Sequence, residues 1–307
     1  MGSHHARVVS QSPDAELALL VDPQELIGKE IATRYGATWQ PELGSLAGID
    51  AVIIAAATHA HYDLALHVIS EATPLLVEKP VADSLHKTEA VLAAAINADV
   101  PMMCGLLERF NPAILTAMSI IDRPFHIIGT RHSPYAQRIR TGVAWDLLVH
   151  DVDLACLLMG SEPRGVEARL GFFHPDSDRG AEDVAEVLLT FADGQISQVS
   201  ASRVGQRKVR QFTLYESGRM IELDLLRRGV TIYRHVSEDS ADGEGRGYRQ
   251  ETIIEIPELV SSEEPLTAQF KHFLRLIDGT ADAAQERSSI LPSHRIIEKV
   301  TEGRYRE

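Results

Sequence analysis

The stretch LLVEKPVADSLHKTEAVLAAAINA, residues 75–98, decides the fold. Its first three residues are apolar without alternation, as a strand covered on both faces requires. Glu78-Lys79-Pro80 ends the strand, because proline cannot donate to a ladder. From Ser84 the spacing turns helical, with Ser84 as the N-cap. A buried strand, a polar exit and a helix make one βα unit. Its neighbours repeat the pattern. LALLVD (17–22) reads as a buried strand ending in an acid, followed by a helix around 23–35 stopped at Gly36. AVIIAAAT (51–58) reads as a strand, HYDLALHVISEA (61–72) as a helix, and VPMMCGLLERF (100–110) as a further strand with its exit. This alternation predicts an α/β, doubly wound parallel sheet.

The pattern changes near residue 122. FHIIGTRHS (125–133) is strand-like, and VAWDLLVHDVDLACLLMG (143–160) is an apolar helix stopped by Gly160. Strands follow at 166–173, 186–203, 210–225 and 229–236, with hairpin signals at Asp193-Gly194 and Ser217-Gly218. Residues 174–183 and 238–247 read as surface loops, and 266–279 as a closing helix. Two domains are therefore expected. Residues 1–122 form a dinucleotide-binding domain, and 123–307 form a mixed α/β domain with a mostly antiparallel sheet. A site is expected between them, at the C-terminal ends of the parallel strands.

A chain of 307 residues, 44% hydrophobic, can bury a large core. Its formal charge of -14 argues against nucleic acid or an anionic membrane as partner. Cys104 and Cys156 both lie in apolar runs, which suits core thiols rather than a disulfide framework. No window approaches the roughly 18 apolar residues of a membrane span. No secretory signal opens the sequence, so the cytoplasm is the expected location.

Three features carry chemistry. Asp22 ends a strand, where an acid can accept hydrogen bonds from ribose hydroxyls and repel a 2′-phosphate. The alternative is a loop aspartate opening the turn at Pro23. Lys79 ends a buried strand, where its charge can hold a substrate oxygen; the alternative is an exposed strand-end lysine. Asp146 and His150 stand at i and i+4 on one helical face, with Asp153 next along it. An imidazole beside a carboxylate is an orientable general base, against the alternative of a paired surface histidine. No HExxH or paired cysteines support a metal site.

LLVEKPVADSLHKTEAVLAAA, CGLLERFNPA and WDLLVHDVDLACLLMG, in this order, resemble the Gfo/Idh/MocA oxidoreductase family. The resemblance implies a Rossmann domain and a C-terminal α/β domain whose open sheet often makes oligomer contacts, so a homodimer or homotetramer is expected. It implies hydride transfer between NAD, with NADP as the alternative, and a carbon bearing a hydroxyl on a sugar, sugar nucleotide or cyclitol. Lys79, Asp146 and His150 are then the catalytic set, His150 accepting the proton. Pro80 is often cis in the family. Gly2, Asp22, Thr58, His61, Glu78 and Lys79 fall on the cofactor side. The ERFNP segment (108–112) and Arg131-His132-Ser133-Pro134 look most like members that oxidise the 3-hydroxyl of UDP-N-acetylglucosamine. Arg109, Asn111, Arg131 and Asp153 are candidate substrate contacts. Arg109, Arg131 and Arg138 either face a substrate phosphate or balance an acidic surface. Met1 to Arg7 match the end of the family's glycine fingerprint, with Gly2 as its third glycine. The first strand and first two glycines are therefore expected to be missing, about ten residues, with a start placed too late or weak cofactor binding as the consequence. The competing class is a non-catalytic sugar sensor on the same fold.

Overall fold

The computed structural model describes residues 1–137, 141–240 and 247–302, with backbone alone at 237–240 and 247–249. Contacts divide it into two compact units. The first comprises Met1–Leu107 and Glu264–His294, and the second Glu108–Glu263 and Arg295–Glu307.

In the first unit α1 (Gly2–Gln11), α2 (Glu25–Tyr35), α3 (Thr58–Ser70) and α4 (Leu85–Asn97) alternate with β1 (Leu19–Val21), β2 (Thr38–Gln40), β3 (Val52–Ile54), β4 (Leu75–Val77) and β5 (Met102–Cys104). All pairings are parallel: β1 with β2 in one sheet, and β3 with β4 and β4 with β5 in another. This is the expected Rossmann-like layout. The strands are shorter than the apolar runs: of 51–58 only Val52–Ile54 pairs, and Thr58 already opens a helix. The reason is the turn at 56–57, which must deliver the chain into α3. Leu75, Leu76 and Val77 are fully buried, as the unbroken apolar run requires. Each such side chain contributes about 1.5–3 kcal/mol of transfer free energy. Ser84 caps α4 by accepting from Lys87 N–H, as its position predicted. The expected 266–279 helix is α7, Pro265–Ile277, and α8 (Ala283–Ser288) follows. The last helix, α9, spans Leu291–Glu302.

The second unit opens with a short 3-10 turn, Leu107–Phe110, and α5 (Pro112–Ile120). Its sheet has eight strands: β6 (His126–His132), β7 (Gly165–Gly171), β8 (Val184–Thr190), β9 (Ile196–Ser202), β10 (Val209–Glu216), β11 (Arg219–Asp224), β12 (Gly229–Ser240) and β13 (Gly247–Glu255). The order is β13-β12-β11-β10-β6-β9-β8-β7. Every pair is antiparallel except β6 with β9. Both hairpin turns fall where the sequence placed them. Residues 238–240, expected in a loop, continue β12 and pair with 247–249 of β13. Ladder bonds there outweigh the polar composition that signalled a loop. The helix α6 (Val149–Met159) lies against β6 and β9, and α5 against β11 and β12. Side chains alternate in and out along β6, so Ile127, Gly129 and Arg131 point to the buried face.

Candidate active site

The first unit builds a tight polar turn directly after β4. The Lys79–Pro80 peptide is cis. Three buried imidazoles from three helices hold the segment. His5 of α1 has Nε2 2.8 Å from Glu78 Oε1. His61 of α3, 1% exposed, has Nδ1 2.8 Å from the Pro80 carbonyl oxygen and Nε2 3.1 Å from that of Ala56. His294 of α9 accepts from Val81 N–H at 3.3 Å through Nε2, so Nδ1–H donates to the Ile290 carbonyl at 2.9 Å. Gly105 lies beside this turn. A Cβ there would come within 2.8 Å of Glu78 Oε2, so only glycine lets the carboxylate tuck under. Glu78 and His61, read as cofactor contacts, are thus buried behind the turn. Lys79 between them is only partly buried.

The remaining cofactor-side residues sit at strand and helix ends. Gly2 opens α1, a helix with no side-chain cap. Thr58 opens α3, also uncapped by a side chain. Asp22 follows β1, and its Oδ1 accepts from Gln24 N–H at 2.8 Å, which builds the turn at Pro23. Uncapped helix starts with open N–H groups suit a diphosphate, and a strand-end carboxylate suits ribose hydroxyls. The residues present therefore fit a dinucleotide.

The second unit carries Asp146 and His150. The expected helix over 143–160 does not begin as an α-helix. Ala144–Leu148 form a π-helical turn closed by Val149 N–H on the Ala144 carbonyl, and α6 follows. Asp146 lies inside the wider turn and His150 just after it. Such turns concentrate at functional sites.

Buried ion pairs tie α6 to its surroundings. Arg131 of β6, 2% exposed, donates to both oxygens of Asp151 at 2.9 to 3.0 Å and to Glu108 Oε1 at 3.0 Å. Arg210 donates to the same Glu108 oxygen at 2.9 Å. Burial opposes the Arg131 charge, but the Asp151 and Glu108 carboxylates outweigh it and raise its pKa. Burial likewise opposes the Glu108 charge, and Arg131 with Arg210 outweighs it, holding that carboxyl below its ordinary value. Arg109 donates to both oxygens of Asp153 at 2.7 and 2.6 Å. Asn111 caps α5 and donates to the Leu225 carbonyl at 2.9 Å.

Of the candidate substrate residues, Arg131 and Asn111 bond inside the fold, and Arg109 pairs with Asp153. The Arg131 placement was legible: period-2 alternation from Ile127 puts it on the core face. Arg138 lies outside the described residues. Burial pushes the Cys156 thiol up to about 12, so it is no nucleophile. Sequence reading missed His5 and His294 as anchors. The signal was available: His294 sits on an apolar stripe with Ile290 and Ile297, all three fully buried.

Residues 1–106 match the family model described as the oxidoreductase family, NAD-binding Rossmann fold. Residues 114–222 match that of the Gfo/Idh/MocA C-terminal domain. The chain belongs to the Gfo/Idh/MocA oxidoreductase family. Within it, the chain is 26% identical over 280 residues to UDP-N-acetylglucosamine 3-dehydrogenase of Acidithiobacillus ferrooxidans, covering 90% of this chain and 85% of that one. It is 30% identical over 220 residues to scyllo-inositol 2-dehydrogenase (NAD(+)) of Bacillus subtilis, covering 66% of this chain and 64% of that one. The solved structure of the Acidithiobacillus ferrooxidans enzyme matches with a TM-score of 0.82 at 24% identity, over 97% of this chain and 92% of that one. A levoglucosan dehydrogenase in complex with NADH matches with a TM-score of 0.76 at 19% identity, over 98% and 94%. The family membership and NAD-binding fold agree with the sequence reading. Among the described residues, no helix is long and apolar enough to cross a membrane.

Proposed function

We propose that this protein oxidises a secondary hydroxyl of a sugar, sugar nucleotide or cyclitol to the ketone, using NAD. Residues 1–122 serve the cofactor, and 123–307 serve the substrate and subunit contacts. Gly2, Thr58 and Asp22 would hold the dinucleotide, and the Asp22 carboxylate disfavours a 2′-phosphate. When bound, the nicotinamide supplies the hydride acceptor. His150 takes the hydroxyl proton as hydride departs from the same carbon. The Lys79 ammonium hydrogen-bonds the developing alkoxide. Asp146 orients the imidazole and stabilises its protonated form. The observation that carries this reading is the care spent on both groups. Three buried imidazoles hold the Lys79 turn, and buried ion pairs hold the His150 helix.

The ERFNP segment and the Acidithiobacillus ferrooxidans relative put UDP-N-acetylglucosamine, oxidised at its 3-hydroxyl, first among substrates. A second reading, an uncharged cyclitol or free sugar, is favoured by Arg131 and Arg109 being spent on Asp151, Glu108 and Asp153 rather than kept for a phosphate. Apolar side chains exposed on the sheet, such as Leu188, Ile196 and Ile254, support a homodimer or homotetramer through that surface, testable by sedimentation. Cytoplasmic residence, where NAD is abundant, belongs to the same proposal. The decisive assay is absorbance at 340 nm with NAD or NADP and UDP-N-acetylglucosamine, myo-inositol or glucose. One of them should yield NADH, and His150→Ala or Lys79→Ala should lower kcat about 10²–10⁴-fold with circular dichroism unchanged. Binding of a sugar with no turnover across a broad panel would mean a sensor.

A further inference from the structure

The π-helical turn that presents Asp146 has no side-chain cap of its own, since Val143 precedes it. Its cap comes from the loop before β8. Glu182 is 0% exposed, and its Oε1 accepts from Ala144 N–H at 2.9 Å. Its backbone carbonyl accepts from Val143 N–H at 3.0 Å. Gly142 is pressed onto the same carboxylate: a Cβ there would fall 2.1 Å from both oxygens. The loop itself is pinned. Asp183, fully buried, accepts from Phe173 N–H at 2.7 Å, His174 N–H at 2.8 Å and the Ser177 hydroxyl. Arg203, whose N–H donates to the Asp183 carbonyl at 2.9 Å, reaches the Thr141 carbonyl through its guanidinium. The turn is therefore gripped on its N–H groups by a rigid acceptor, from a segment nearly forty residues downstream.

We propose that Glu182 is a positioning residue for the Asp146–His150 pair, holding the turn in its π-helical form through Ala144 N–H. This rests on the acid–base reading above. A π turn is one residue wider than the α-helix around it and persists only where something external favours it. Without the Glu182 grip the first turn has no cap and frays. The Asp146 carboxylate is then no longer held one turn before His150.

The test follows the His150 ring itself, by its NMR titration in the full chain, and needs no substrate. Asp146→Asn sets the reference, lowering the His150 midpoint by about one unit through loss of the neighbouring negative charge. Glu182→Ala should lower it by at least half as much, and Glu182→Gln, which keeps the acceptor oxygen, should leave it near the parent value. Gly142→Ala, which drives a methyl into the carboxylate, should move it in the same direction as Glu182→Ala. It provides the readout if Glu182→Ala fails to fold. On the best substrate, Glu182→Ala should lower kcat about tenfold with KM for NAD unchanged. A midpoint unmoved in both Glu182→Ala and Gly142→Ala, or unmoved in Asp146→Asn, overturns the proposal. Absence of turnover with every substrate, while the midpoint shifts as stated, would instead count against the dehydrogenase reading alone.

Discussion

The Lys79 turn and the His150 helix are anchored by opposite means. The turn is held by imidazoles acting on two backbone groups and one carboxylate. The helix is held by guanidinium–carboxylate pairs buried in the second unit. Hydrogen bonds to backbone groups, such as those of His61 and His294, are worth about 1 kcal/mol net, and losing one removes only that much. Buried ion pairs are nearly balanced while intact, and severe only when one partner is lost. The first region should therefore loosen under mutation, whereas the second should fail abruptly.

Arg131→Met tests the abrupt side and should have the largest effect. It strands Asp151 in the core and leaves Glu108 with Arg210 and Asn111, and the loss of stability in urea at pH 7 should be about 3–5 kcal/mol. Replacing both partners, Arg131→Met with Asp151→Leu, should recover much of it. A single-mutant loss under about 1 kcal/mol would erase the contrast between the regions.

His294→Leu tests the loosening side. Leucine keeps the apolar stripe with Ile290 and Ile297 but removes the acceptor of Val81 N–H. Urea denaturation should show a loss of about 1–3 kcal/mol, smaller than that of Arg131→Met. A fall in kcat without unfolding would place the strain at the neighbouring Lys79.

The smallest effect is a pH dependence. Because the folded Glu108 carboxyl lies below its ordinary value of 4.5, its contribution is complete above that value and fades as pH falls through the lowered one. Denaturation midpoints of the parent and Glu108→Gln should therefore converge as pH drops below 4.5. A gap that stays constant from neutral pH into acid would mean that the Glu108 charge does not matter to the anchor.

Much of this could be read along the chain. The apolar run at 75–77, the Ser84 cap, the αL glycines after α2 and α6, and both hairpin turns are set by neighbours within a few residues. Lys79, Asp146 and His150, proposed for the chemistry, stand at fixed offsets from such elements. The short β2 and the strand β13 went unread, since a three-residue strand and a largely polar run give little periodicity. The missed first turn of the 143–160 helix has another cause. An α-helix and a π turn present nearly the same local pattern, and the choice lies with Glu182.

The sequence by itself determined the two kinds of sheet, the element boundaries that caps and turns enforce, and the residue types available for acid–base chemistry. Those follow from backbone sterics and from the 2.0 and 3.6 residue periods, which act locally. Only the tertiary structure decided which arginines are spent on Asp151 and Asp153, which histidines grip the turn after β4, and which distant carboxylate caps the helix. These are pairings between groups 20 to more than 200 positions apart. Burial makes an unpaired charge or amide too costly to tolerate, so packing chooses the partner.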